Sequence, residues 1–238
     1  RTELKLAGVA TLEIHGEGRD IPGLGVVFED PDVLPADWSP RLSVLSLDIE
    51  TDPQARGLLS IALHGAGASE VLVVGGGPGA VTCASERELL ATFERRVREI
   101  DPDVLTGWNV VDFDFAVLAR AAWRLGLPLA LGRGPEALRV RPGIGPRAMR
   151  QAHVPGRVVL DGIQLLRGAF IRMEDYGLDS VARTVLGEGK TIDSRRLSGR
   201  ARALEVLRLY REDRERFVEY NRTDARLALA VLERLHVV

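Results

Sequence analysis

The chain has 238 residues, 45% hydrophobic and 28% charged, with a net charge of −2. That suits one large domain, or one with an appendage, able to bury a core without staples. The single cysteine, Cys83, excludes an intramolecular disulfide and a cysteine-based zinc site, and the near-neutral balance argues against coating nucleic acid by bulk charge.

The four histidines (His15, His64, His153, His236) are scattered without ligand spacing. No apolar run nears the roughly 20 residues of a membrane-spanning helix, and no signal peptide opens the chain. A reducing, cytoplasmic setting without membrane attachment is expected. The first residue is Arg1 rather than Met, which suggests a trimmed piece of something longer.

In chain order, residues 1–40 read as strands and turns. Leu4–Ile14 alternates like a strand, Gly16–Gly23 is turn-rich, Leu24–Phe28 is a short apolar run, and Pro31, Pro35 and Pro40 punctuate a linker. A boundary is placed near residue 40, with 1–40 as the tail of a preceding domain and 41–238 as the main domain. Ser43–Asp48, Leu58–His64 and Glu70–Val74 read as strands joined by links too short for helices, which allows an antiparallel meander. Gly75–Gly79 lacks the Gly-Lys-Ser/Thr ending of a phosphate loop and reads as turn. Ser85 and Glu88 form a capping box for a helix to Ile100, which Asp101-Pro102 stops.

Val104–Thr106 is a short strand and Phe113–Leu125 a helix, ended by Gly126 and Pro128. Residues 131–157 hold six arginines and one acid, Glu136, and predict an irregular or hairpin-like excursion with a basic surface. That surface is a candidate guide for a single nucleic-acid strand, although it lacks aromatics, and a solvated loop accounts for it as well. Val158–Asp161 is a strand, helices follow at Ile163–Phe170 and Leu178–Leu186, and Ala201–Leu235 is one long helix or two. The later strands alternate with helices and should run parallel. The expected architecture is α/β: a mixed five-stranded sheet flanked by helices, of RNase H-like type.

Three segments carry chemistry. In Ser46-Leu47-Asp48-Ile49-Glu50-Thr51 an apolar strand ends with Asp48 and Glu50 two apart, hence on one face. Side by side they repel and raise each other's pKa, a conflict that a hard divalent cation removes. In Gly107-Trp108-Asn109-Val110-Val111-Asp112-Phe113-Asp114 a strand runs through a turn into a helix, with Asp112 as its N-cap and Asp114 in the first turn. In Tyr220-Asn221-Arg222-Thr223-Asp224 the tyrosine and the acid project together at i, i+4. Taken singly, each also has a plain structural reading: acids ending a strand in solvent, a capped helix start, and a surface helix with a half-buried tyrosine.

Taken together and in order, the segments resemble the three exonuclease motifs of the 3′–5′ proofreading domain of family B DNA polymerases. Asp48 and Glu50 match the Asp-x-Glu motif, Asn109, Phe113 and Asp114 match Asn-x-x-x-Phe-Asp, and Tyr220 and Asp224 match Tyr-x-x-x-Asp. Glu219 stands where the histidine variant of the superfamily would carry its histidine, so the tyrosine type fits. The stretches DIET, GWNVVDFD, VVLDGI and LGEGK resemble bacterial members of the family, and the likeness spans roughly residues 41–236. No room remains after the third motif for palm, fingers or thumb, so this chain is expected not to polymerise DNA, whether it is an excised domain or a stand-alone exonuclease.

The resemblance implies a phosphodiester hydrolase in which Asp48, Glu50, Asp114 and Asp224 hold two divalent ions, Mg²⁺ or Mn²⁺, an assignment their oxygen-only donors suit. Tyr220, a poor base with an ordinary pKa of about 10, would orient the attacking water. Thr51 and Asn109 are candidates for holding the 3′-terminal nucleotide. Phe113 packs either beside its base or sugar or in the core. Asp161 reads as a structural cap for the following helix, and Lys190 as a possible phosphate contact or a solvated lysine. The expected partners are single-stranded DNA 3′ ends and the polymerase portion of a longer parent chain. The alternatives are an RNA-trimming exonuclease of the same superfamily and a non-catalytic nucleic-acid-binding scaffold, for which four converging acids would be a cost without a use.

Overall fold

The computed structural model describes residues 11–37, 39–143, 149–189 and 199–238. Residue contacts divide the chain into two units, Arg1–Arg41 and Leu42–Val238. In the first unit β1 (Leu12–His15) pairs antiparallel with β4 (Asp32–Pro35), and β2 (Gly18–Ile21) with β3 (Gly25–Phe28). The segment expected to be turn at Gly16–Gly23 therefore contains a strand, and the reversal is confined to Gly23 and Gly25, both at positive φ. Pro31 and Pro35 bracket and end β4 rather than a linker; in a two-stranded pair a proline costs no ladder bond on its open side. Most of Leu4–Ile14 lies outside the described residues.

The second unit is built on a sheet that includes β5 (Val44–Thr51), β6 (Leu58–Gly65), β7 (Ala68–Val74) and β8 (Val81–Cys83). α1 (Glu86–Ile100), β9 (Val104–Gly107), a π-helical turn at Val110–Asp114 and α2 (Phe115–Arg124) come next. The small antiparallel pair β10 (Arg139–Arg141) and β11 (Gln151–His153) precedes β12 (Val158–Asp161). α3 (Gly162–Gly168), α4 (Leu178–Leu186), α5 (Gly199–Glu212) and α6 (Arg214–Arg234) complete the chain.

The sheet order is β12-β9-β5-β6-β7-β8. β5, β6 and β7 form the expected antiparallel meander, and β9 and β12 add in parallel beside β5. Among the described residues the sheet has six strands, not five. The extra strand, Val81–Cys83, lies parallel to β7 and is too short to show alternation in sequence. The glycine loop before it turns the chain through positive φ at Gly75, Gly76 and Gly79, and the Gly75 N–H donates to the Cys83 carbonyl at 2.8 Å.

Alternation along β5 sorts its side chains. Leu45, Leu47 and Ile49 join Phe93 of α1 and Phe115 of α2 in one core. On the other face of the sheet, Ala62 and Val71 pack with Phe217, Tyr220 and Ala225 of α6. Ser46, Asp48 and Glu50, one residue out of phase with the leucines, share that second face by the period of two.

Several helix ends follow the sequence and two do not. The Ser85 Oγ accepts from the Glu88 N–H at 3.2 Å, but the returning Glu88 carboxylate takes the Ala84 N–H, at 2.7 Å. Asp112 caps nothing: the π-helical turn occupies Val110–Asp114, the residue before it is Asn109 at φ 60, and the α-helix starts at Phe115 rather than Phe113. The C-terminal helical run breaks in two at Asp213, whose side chain accepts from the Arg216 N–H at 3.1 Å.

The start of β5 is held by an acid. Asp103 Oδ2 accepts from the Ser43 N–H and Oγ, both at 2.9 Å, and its Oδ1 accepts from Arg133 at 2.9 Å. These bonds, the backbone one foremost, lower its pKa from 3.8 to about 2. A depressed carboxylate contributes stability above its unfolded value and loses it as pH falls through the folded one. Acid unfolding monitored by circular dichroism should therefore show a loss of stability between about pH 4 and pH 2. Asp103→Asn should flatten that limb and lower stability at pH 7; an unchanged limb would refute the assignment.

Candidate functional site

β5 is hydrogen-bonded on both sides, by β6 and by β9, so Asp48 and Glu50 leave it from a fixed backbone. A register shift between Glu50 and Thr51 ends the regular ladder where they emerge. α6 crosses that face, and its start is pinned to the end of β7. Arg214 donates to the Val74 carbonyl at 3.0 Å and stacks on the Tyr210 ring at 3.7 Å, while the Tyr210 hydroxyl donates to the same carbonyl at 2.9 Å. One turn apart on this helix, Tyr220 and Asp224 are both buried. Asp48, Glu50 and Asp224 each offer a carboxylate oxygen within 4.8 Å of the others.

Asp114 arrives from the other side. β9 ends at Gly107, where a Cβ would lie 2.4 Å from the Leu47 carbonyl, so only glycine allows this approach to the strand carrying Asp48. Asn109 then takes a left-handed conformation that asparagine tolerates. Asp161 Oδ2 accepts from the Val111 N–H at 3.1 Å, while its Oδ1 takes the Ile163 and Gln164 N–H groups at 3.0 and 3.1 Å. It is thus the cap of α3 and an anchor for the π-helical turn. Asp114 Oδ1 accepts from the Ile49 N–H at 3.0 Å, which ties the turn to β5 between the two strand acids.

Eight of the residues singled out in sequence line one cavity of about 240 Å³: Asp48, Glu50, Thr51, Asn109, Phe113, Asp114, Tyr220 and Asp224. The three-acid cluster does not include Asp114, which forms a neighbouring wall. Phe113 is 40% exposed, which sets aside the core alternative for it. Thr51 spends its hydroxyl proton on the Asp52 carbonyl, at 2.9 Å, and presents only acceptor capacity. Trp108 donates its indole N–H to the Tyr176 carbonyl at 2.7 Å, so its ring is a fixed piece of wall.

Burial, and then the charge of Asp48, raise the Asp114 pKa well above the usual carboxylate value. Burial also raises Tyr220, reinforced by Asp224, Glu50 and Asp48 and opposed by Arg202. The phenol keeps its proton. Sequence reading missed Arg202 and the rest of the α5 wall, because one arginine among many at helical spacing carries no signal. It also missed Asn221, whose side-chain amide donates to Asp48 Oδ2 at 2.7 Å.

The basic excursion is partly structural. Arg133 and Arg157 are committed to Asp101, at 2.9 and 2.7 Å, and the Arg157 side chain is only 1% exposed. Arg150 lies 3.9 Å from Asp112. Arg139 and Arg141 remain exposed on β10, and Lys190 lies outside the described residues.

The sheet order with its flanking helices defines an RNase H-like fold. The family model "DNA polymerase family B, exonuclease domain" matches residues 65–181. DNA polymerase II of Escherichia coli (strain K12) is 33% identical over 210 residues, covering 85% of this chain and 26% of that protein. A DNA polymerase of Thermococcus kodakarensis is 31% identical, over 72% of this chain and 10% of its own length. The structure of the family B DNA polymerase from Pyrobaculum calidifontis superposes with a TM-score of 0.66 at 25% identity, covering 94% of this chain and 29% of that one. The chain belongs to the exonuclease domain family of the family B DNA polymerases, and spans about a quarter or less of the length of the curated relatives named here.

A raised carboxylate means that the folded state binds its proton more tightly than the unfolded chain. The metal-free protein should then lose stability as pH rises above about 3.8 towards neutrality. Asp114→Asn keeps an acceptor for the Ile49 N–H and should raise the Tm in EDTA at pH 7 while flattening that slope. A variant less stable than wild type at pH 7 in EDTA would show that the buried charge is not what costs stability.

Proposed function

We propose that this cavity hydrolyses the 3′-terminal phosphodiester bond of single-stranded DNA, with two divalent ions, Mg²⁺ or Mn²⁺, as cofactors. The observation that carries the reading is the convergence of Asp48, Glu50 and Asp224 within 4.8 Å on a central strand and a crossing helix. An all-oxygen donor set suits a small hard cation, and the charge of Asp48, which adds to the burial that raises the Asp114 pKa, is a repulsion such a cation would relieve. Asp48, Glu50, Asp114 and Asp224 would hold the ions. When bound, the ions supply Lewis-acid charge that acidifies an attacking water and neutralises the phosphate and the leaving oxygen.

The chain's own residues do the rest. Tyr220 stays protonated, so its hydroxyl orients the attacking water rather than taking its proton. Arg202 lines the cavity and its charge opposes the rise of Tyr220, and in this reading it meets a phosphate oxygen of the incoming strand. Phe113, exposed at the rim, offers a face to the terminal base or sugar, and Asn109 and Thr51 offer polar contacts to the same nucleotide. The polymerase portion of a longer parent chain is the partner in this reading, with residues 1–40 as the end of a preceding domain and a cytoplasmic setting for the whole. Among the described residues, no helix is long and apolar enough to cross a membrane.

The test is degradation of a 5′-labelled single-stranded DNA oligonucleotide in Mn²⁺ and in EDTA, beside RNA of the same sequence. A metal-dependent ladder shortening from the 3′ end is expected, with DNA preferred. Asp48→Ala and Asp224→Ala should each cost at least roughly a hundredfold in kcat, by analogy with the loss of one preorganised electrostatic group. Preference for RNA would move the reading to an RNA-trimming enzyme, and a folded protein with no ladder on either substrate would overturn it.

Arg202→Ala should raise the KM for DNA roughly tenfold, the scale of one charge-assisted hydrogen bond. Steady-state kinetics with oligonucleotides of one length measure it. An unchanged KM would remove Arg202 from the substrate.

A further inference from the structure

Asn221 lies between the tyrosine and the acid of α6, fully buried at 0% exposure. Its Nδ2 donates to Asp48 Oδ2 at 2.7 Å and to the Asp48 carbonyl at 3.2 Å, and its Oδ1 meets Ser60 Oγ at 2.7 Å. The amide has only one workable orientation. Both Asp48 atoms are acceptors, so the NH2 side must face them. The oxygen then faces Ser60, whose hydroxyl must donate. A chain of fixed direction therefore runs from β6 through α6 to β5, ending on one oxygen of a strand carboxylate.

We infer that Asn221 is a positioning residue for Asp48, set in turn by Ser60: it holds Asp48 Oδ2 so that the carboxylate meets its metal in one rotamer. The inference rests on the reading of the cavity as a metal-dependent nuclease. A carboxylate on a central strand can swing about χ1 and χ2, and each swing removes a ligand oxygen from the cluster formed with Glu50 and Asp224. A hydrogen bond to one oxygen of a ligating carboxylate suppresses that freedom and keeps the donor set assembled before the ion arrives. Asparagine is a poor residue for the middle of a helix, so helix formation does not account for its place here. Asn221 touches neither ion nor substrate in this scheme and acts only through Asp48.

The experiment measures Mn²⁺ binding to the whole chain by calorimetry or by electron paramagnetic resonance of free Mn²⁺, with nuclease kinetics alongside. Asn221→Ala, a better helix former, should weaken Mn²⁺ binding roughly 10- to 100-fold and lower kcat with little change in the KM for DNA. Ser60→Ala, which keeps the amide but frees it to turn, should shift affinity the same way by a smaller, several-fold factor. It should add little in the Asn221→Ala background, because the two act through one chain.

If Asn221→Ala does not fold, Ser60→Ala decides alone. A merely structural role would lower the metal-free Tm and leave Mn²⁺ affinity unchanged in both variants, which overturns the inference. Wild type that binds Mn²⁺, loses it in Asp48→Ala and keeps it in Asn221→Ala refutes only this role. Wild type that binds no Mn²⁺ refutes the nuclease reading, and this role with it.

Discussion

Carboxylates gathered in a small cavity repel one another, and the second unit has to hold them there. Asp48, Glu50 and Asp224 converge within 4.8 Å, and Asp114 stands beside them with its pKa driven up by burial and by Asp48. Left on flexible segments, these side chains would move apart. The structure prevents this by mounting each on a backbone that cannot yield locally. β5 is laddered on both sides, α6 is locked at its start by Arg214 and Tyr210, and the π-helical turn is tied to β5 through the Ile49 N–H. The bonds that oppose the repulsion are the bonds that set the geometry.

The same constraint gives Asp161 and Asp103 their roles. Both are acids in the neighbourhood of the site strands, and neither belongs to the cluster. Asp161 spends its oxygens on three backbone N–H groups at the junction of the π-helical turn and α3. Asp103 spends its own on Ser43 and Arg133 at the start of β5. Asp161 and Asp103 are engaged mainly by neighbouring N–H and O–H donors of the fold, so the bonding pattern sorts them from the cavity acids where composition does not.

That sorting explains what could be read from the sequence. Asp48, Glu50, Tyr220 and Asp224 were legible because periodicity of two on a strand and of four on a helix places each pair on one face. The order of the motifs, and their resemblance to a known set, supplied the link between pairs. The meander and the parallel additions followed from link lengths. Val81–Cys83 was not legible, because three residues carry no period. The start of α2 was misread because a π-helical turn inserts an extra residue per turn, and Asp112, a normal capping residue, sat in the expected place. Asn221 and Arg202 were invisible for a different reason. Their significance lies in what they face across the fold, Asp48 in one case and the acidic cavity in the other, and no local pattern encodes a partner far away in sequence.

The electrostatics also separate the tyrosine from the acids. Burial and three carboxylates together raise Tyr220, so near neutral pH it is a hydrogen-bond donor and acceptor of fixed protonation. Arg202 works against that shift from the α5 wall of the cavity. Carboxylates gathered this closely favour cations and disfavour other anions among them. Asp48, whose Oδ2 accepts from the Asn221 amide at 2.7 Å, is fixed within that field by a neutral partner.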